Sequence, residues 1–110
     1  MSLRAQSTPI PDRRQHPRVV TAFQAAFTTP DGETGEGTAI DLSTGGCKFH
    51  SLSPLILHAQ IEIQIFVPGE HIPITVPMGL VRWAEGTTYG VEFLQLTEAS
   101  RQLIQRLSGL

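Results

Sequence analysis

The sequence predicts an all-β domain in which six short strands form an antiparallel barrel or sandwich and one helix follows at the carboxyl end. Short runs of strand-like residues recur between turn-forming residues along most of the 110-residue chain. The apolar residues take a helical period only after the last of these runs. The length and the 40% hydrophobic content are typical of one globular domain with a single core.

Six runs are predicted to be strands from their β-branched and aromatic residues. The clearest is Gln60 to Val67, where isoleucine or valine occupies every second position, so one face should be buried. Pro77 and Gly79 predict a bulge in the fifth strand. The other runs are Val19 to Thr28, Thr38 to Leu42, Cys47 to His50, Ile72 to Trp83 and Tyr89 to Leu94. The aromatic residues expected to fill the core are Phe49, Phe66, Trp83 and Phe93.

The last segment of the chain, Thr97 to Leu107, is predicted to be a helix that packs on the sheet. Thr97 suits the N-cap position because its hydroxyl can accept a hydrogen bond from the first turn. Gly109 suits the position just after the helix, where a left-handed backbone is common. The apolar residues expected to share the buried face are Ala99, Leu103, Ile104 and Leu107.

Residues 1–18 are predicted to form a flexible arm ahead of the domain at residues 19–110, since they are polar, rich in proline and without periodicity. Arg13, Arg14 and Arg18 give the arm the densest charge in the chain. Three guanidinium groups repel one another, and a ligand with more than one negative charge would relieve that repulsion. Arginine pairs with phosphate through two parallel hydrogen bonds and stacks on bases, which favours a phosphate-containing ligand. The alternative is a solvated, flexible basic tail without a ligand.

A second motif, Asp-x-Ser-x-x-Gly, follows the second predicted strand as Asp41, Ser43 and Gly46. Short polar side chains there can bind the edge of a base, and Gly46 permits a positive φ or a close approach by a ligand. The alternative is a structural turn that closes a hairpin, with the two side chains bonded to nearby backbone.

The two motifs, in this order, resemble those of the PilZ domain family, a family of cyclic di-GMP receptors. That family has Arg-x-x-x-Arg on an N-terminal switch loop and [Asp/Asn]-x-Ser-x-x-Gly after an early barrel strand. Residues 79–83 and 89–93 are similar to the late strand pair of the family, so the resemblance covers about residues 12 to 108. It implies a six-stranded antiparallel PilZ-type β-barrel with a C-terminal α-helix.

The resemblance also implies roles for the motif residues. Arg14 and Arg18 would hold phosphates and stack on guanine, Asp41 and Ser43 would bind a guanine edge, and Gly46 would keep the shape of the loop. Arg13 is similar to an additional arginine in family members that bind two stacked ligand molecules, so we expect two cyclic di-GMP molecules per protomer. Binding would order the arm and present a changed surface to a downstream protein. The chain would then be a stand-alone receptor or adaptor.

Other function classes fit the sequence less well. A PilZ-like interaction domain that binds a protein without nucleotide is the main alternative. The net charge of −2 argues against binding to nucleic acid polymers or anionic membranes, and the 6% aromatic content against a single-strand binder. No nucleophile, base or metal-ligand pattern appears, so we expect neither an enzyme nor a metal site, and no cofactor. Arg82 could reach the ligand or lie on a solvated strand face.

The sequence also allows predictions of the cellular location and the oligomeric state. Cys47 is the only cysteine, and the N-terminus lacks the apolar stretch of a signal peptide. The longest apolar runs are too short to cross a bilayer. We therefore expect a cytoplasmic protein without direct membrane insertion. An apolar patch of Leu94, Leu96 and Leu110 would be the interface of a homodimer, if one forms.

Overall fold

Six antiparallel strands and one helix make up residues 18–109, the part of the chain that the computed structural model describes. Arg13, Arg14 and the rest of the predicted arm except Arg18 lie outside the described residues, as does Leu110. The elements are β1 (Phe23–Thr28), β2 (Thr34–Ile40), β3 (Gly46–His50), β4 (Gln60–Ile65), β5 (Ile74–Glu85), β6 (Thr88–Gln95) and α1 (Glu98–Leu107).

The strands close into a barrel in the order β1-β2-β3-β6-β5-β4, with β4 paired back onto β1. Ala25 of β1 lies opposite Ile65 of β4, and this pairing leaves no free edge. A closed barrel is thereby confirmed over a sandwich. In the β4–β5 pairing, β5 has one residue more than β4 between Val76 and Gly79, so the predicted bulge near Pro77 and Gly79 is confirmed. In the β5–β6 pairing, β5 has an extra residue between Val81 and Trp83.

The core fills the barrel interior with the inward residues of each strand. In β4, Ile61, Ile63 and Ile65 are buried and alternate with exposed polar residues, as the sequence predicted. The rings of Phe27 and Phe49 meet edge to face, with centroids 5.9 Å apart. Burial of each such side chain stabilises the fold by roughly 1.5–3 kcal/mol.

Two of the four aromatic residues predicted for the core lie on the surface instead. Phe49 and Phe93 are buried, whereas Phe66 is 44% and Trp83 is 40% exposed. Phe66 follows the buried Ile65, so strand alternation turns its ring outward. The register shift between Val81 and Trp83 reverses the alternation in β5. Because of this shift the Trp83 indole leaves the core.

The helix α1 packs on β5 through Leu103 and Ile104, which are both buried. The N-cap prediction is confirmed, since the Thr97 hydroxyl accepts a hydrogen bond from the Ser100 N–H. Ser100 is buried in place of the predicted Ala99, which is exposed. The Ser100 hydroxyl accepts a 2.8 Å hydrogen bond from the N–H of Thr75, and this bond ties the helix to the start of β5.

The residues of the predicted dimer patch differ in accessibility. Leu94 is 43% exposed and Leu96 is half-buried against the core. A homodimer through this patch stays a prediction. Between residues 18 and 109 the chain has no helix of the length and apolarity that a membrane crossing needs.

Candidate ligand-binding site

A short backbone bridge brings the end of the arm to the Asp-x-Ser-x-x-Gly turn. The N–H of Val19 donates to the carbonyl of Leu42 at 2.7 Å, and the N–H of Leu42 donates to the carbonyl of Val19 at 2.8 Å. Arg18 and Asp41 are the residues just before the two bridge partners. The bridge therefore places one residue of each motif side by side.

Arg18 and Asp41 form an ion pair at the surface. The Nη1 atom of Arg18 lies 3.7 Å from the Oδ2 atom of Asp41 and donates a 3.3 Å hydrogen bond to the Asp41 carbonyl. The two side chains are 54% and 31% exposed. An ion pair with this exposure stabilises a fold by about 0–1 kcal/mol, so a ligand can displace it at small cost.

Ser43 is buried inside the turn, and its hydroxyl bonds to neighbouring backbone. The Oγ atom accepts from the N–H of Gly45 at 3.1 Å and lies 3.3 Å from the carbonyl of Gly46. The Ser43 N–H also donates to the Gly46 carbonyl at 2.9 Å. In this structure Ser43 stabilises the turn, and its predicted contact with a guanine edge stays a prediction.

Gly46 is required by close packing of two strands and has no positive φ. A Cβ atom at this position would collide with the carbonyl oxygen of Val91 on β6. The left-handed residue of the motif is Asp41, with φ 53°. The positive φ predicted for Gly46 is therefore wrong and occurs at Asp41 instead, while Gly46 allows the close approach of β6; a close approach by a ligand stays a prediction.

The turn borders an open depression of about 430 Å³ on the outer face of β3, β5 and β6. The indole of Trp83 lies over Gly90 on the neighbouring strand, where any side chain would collide with it. The indole is thus held at the surface, where its exposed part can contact a base. The polar and aromatic side chains that line the depression are Arg18, Asp41, Lys48, Arg82, Trp83 and Glu92.

The depression carries one net positive charge in a protein whose net charge is −2. Two of its three cations have carboxylate partners, since Arg82 pairs with Glu92 at 3.4 Å as Arg18 does with Asp41. Burial raises the pKa of the Cys47 thiol beneath this surface to about 12. The thiol is therefore protonated at neutral pH, which is typical of a buried structural cysteine.

The structure brings together Arg18, Asp41 and Gly46 of the predicted site and adds residues that the motifs did not identify. Lys48 belongs to neither motif, although its place between buried Cys47 and Phe49 gives it an outward side chain. Arg82 lines the depression with a side chain that is 59% exposed, and its contact with a ligand stays a prediction. The described residues hold no group of three or more His, Cys, Asp or Glu that could bind a metal ion.

Comparisons with known proteins agree with this architecture. The structure is similar to that of the inhibitor of motility MotI/DgrA from Bacillus subtilis, with 16% identity and a TM-score of 0.72 over 89% of this chain and 50% of that one. The PilZ domain of CeSA from a cellulose-synthesizing bacterium is also similar, with 17% identity and a TM-score of 0.62 over 84% of this chain and 94% of that one.

The sequence comparison identifies the family. The chain spans half the length of the MotI/DgrA chain, and none of the curated proteins matches it by sequence. The model of the PilZ domain matches residues 12–109, a range that contains both motifs, the whole barrel and α1. The chain therefore belongs to the PilZ domain family.

Proposed function

We propose that the protein binds cyclic di-GMP in the depression beside the Asp41 turn and acts as a receptor without enzymatic activity. The observation that supports this most is the meeting of one residue from each family motif in one net positive depression, with Arg18 and Asp41 3.7 Å apart. A cyclic dinucleotide offers two phosphates to the arginines and two guanine edges to carboxylates. It therefore matches both kinds of side chain at this site.

Each motif residue has a defined part in this proposal. Arg14 and Arg18 hold the phosphates and stack on a guanine face, and the Asp41 carboxylate accepts hydrogen bonds from guanine N–H groups. A hydrogen bond to a charged group contributes roughly 1.5–3 kcal/mol. Two arginines that each form a bidentate pair would supply much of the roughly 8 kcal/mol of a micromolar complex.

The arm would transmit ligand binding to a partner protein. Bound phosphates neutralise Arg13, Arg14 and Arg18, which lets the arm dock on the barrel and creates a new surface for a downstream protein. Arg13 adds the charge for a second ligand molecule, so two molecules bind per protomer.

A second candidate function is protein binding without nucleotide. It is favoured by the way the turn satisfies its own polar groups, since the Ser43 hydroxyl bonds to Gly45 and Gly46 and the Asp41 carboxylate pairs with Arg18. A domain of this kind would keep the barrel and present its outer face to a partner.

Isothermal titration of the full chain with cyclic di-GMP tests the proposal. We expect micromolar or tighter binding with a stoichiometry near two, and a loss of at least tenfold in affinity for Arg14→Ala. The matched control is Arg106→Ala, which removes the same charge from α1 beside a separate groove and should bind like wild type. No heat and no thermal stabilisation in the wild type would favour the protein-binding alternative. A stoichiometry near one would refute only the two-ligand proposal.

A further inference from the structure

Lys48 occupies a central position on the outer face of the barrel. It lies on β3 between two neighbouring strands, opposite Ile40 of β2 and Gly90 of β6. The residues on either side of it in the chain, Cys47 and Phe49, are buried, so its side chain is exposed on the outside. It lines the same depression as Arg18 and Arg82.

The three cations of the depression differ in their partners. Arg18 pairs with Asp41 and Arg82 pairs with Glu92, whereas Lys48 forms no ion pair with any residue in the range 18–109. A carboxylate partner neutralises part of the charge that each arginine can offer to a phosphate. The Lys48 ammonium has no such partner within residues 18–109, so its full charge is available to a phosphate.

The surroundings of Lys48 also suit a phosphate. Its partner on β6, Gly90, has no side chain, and the Trp83 indole occupies the space over this glycine, on the outer face next to Lys48. Lysine is a compact point charge on a flexible four-carbon stem, which suits a phosphate that approaches from solvent. A guanine stacked on the exposed part of Trp83 would carry its phosphate toward the neighbouring strand β3.

We propose that the Lys48 ammonium contacts a phosphate of the bound dinucleotide and is a third phosphate-binding residue beside the two motif arginines. The proposal deepens the proposed function and rests on it. Lys48 would supply charge complementarity from the rigid barrel, whereas Arg14 and Arg18 supply it from the chain segment that precedes β1.

The experiment compares wild type with Lys48→Gln and Lys48→Arg by titration with cyclic di-GMP at two salt concentrations. We expect Lys48→Gln to bind about 5–20-fold more weakly and to lose less affinity on going to high salt, because one charge contact is absent. Lys48→Arg should restore most of the affinity. The control Arg106→Gln makes the same change in net charge on α1 and should leave both affinity and salt dependence unchanged.

Phosphorus NMR of the saturated complex reports the contact itself. We expect a ³¹P resonance of the bound ligand to shift between wild type and Lys48→Gln and to stay unmoved in Arg106→Gln. If Lys48→Gln binds as tightly as wild type and gives the same ³¹P spectrum, the Lys48 assignment is overturned. Binding by the wild type in that case still supports the receptor function. Weaker binding with unmoved ³¹P resonances would also overturn the phosphate contact. No binding by the wild type would overturn the proposed function and the Lys48 contact together.

Discussion

Asp41 (φ 53°) and His58 (φ 70°) are the two residues other than glycine that have a left-handed backbone within residues 18–109. Asp41 lies between β2 and β3, and its carboxylate pairs with Arg18 at the depression. His58 lies between β3 and β4, where its N–H donates to the carbonyl of Val81 and the Val81 N–H donates to the carbonyl of Ala59. This pattern is that of a β-bulge whose first residue is usually glycine.

The two positions carry similar backbone strain for different reasons. At His58 the left-handed conformation joins a turn to a bulge, and a glycine would adopt this conformation without strain. At Asp41 the same conformation holds a carboxylate beside an arginine of the other motif, which a glycine would not provide. Strain that is kept at a charged surface residue indicates a use for its side chain, and the comparison supports Asp41 as a binding residue.

The largest effect is expected from Gly46→Ala, which alters the end of the turn that Asp41 begins. A Cβ atom there collides with the Val91 carbonyl of β6, so two paired strands must separate, and we expect a loss of about 3 kcal/mol in the free energy of unfolding. Urea denaturation measures the loss. The control is Gly69→Ala, where φ is 87° and the space is open, and the cost should be about 1 kcal/mol. Equal losses of unfolding free energy in Gly46→Ala and Gly69→Ala would contradict strand packing as the reason that position 46 needs glycine.

The next largest effect is expected on ligand affinity, at Asp41 and not at His58. Asp41→Gly relieves the backbone but removes the carboxylate, so we expect at least a tenfold loss of affinity for cyclic di-GMP. The melting temperature should change by only a few degrees, since relief of strain offsets the lost surface ion pair. Titration and thermal denaturation of the same sample give both quantities. Unchanged affinity would remove Asp41 from the site.

The smallest effect is expected from His58→Gly, which relieves the same strain away from the depression. We expect the free energy of unfolding to rise by about 0.5–1 kcal/mol, with affinity for cyclic di-GMP unchanged. Gln60→Gly is a matched control on the adjacent strand, where the added backbone freedom should destabilise the protein by a similar amount. A destabilised His58→Gly variant would show that the imidazole itself supports the loop.

Most of the fold was predictable because its strands alternate regularly. The run from Gln60 to Val67 predicted the buried face of β4, and Thr97 predicted the start of α1. Trp83 was placed wrongly because a strand pattern assumes an unbroken period of two, and the register shift after Val81 reverses it. Ser100, and not the predicted Ala99, lies on the buried face of α1, because its hydroxyl accepts a hydrogen bond from the backbone N–H of Thr75.

By itself, the sequence determined the six strands, the terminal helix, the two motifs and, through them, the PilZ family. Only the tertiary structure decided which side chains meet at the depression. Lys48 on β3 is far along the chain from Arg82 and Trp83 on β5, and their meeting depends on the pairing of both strands with β6. Bulges and the close backbone approach at Gly46 set that register. Both are properties of paired strands, so the sequence of one strand carries no periodic signal for them.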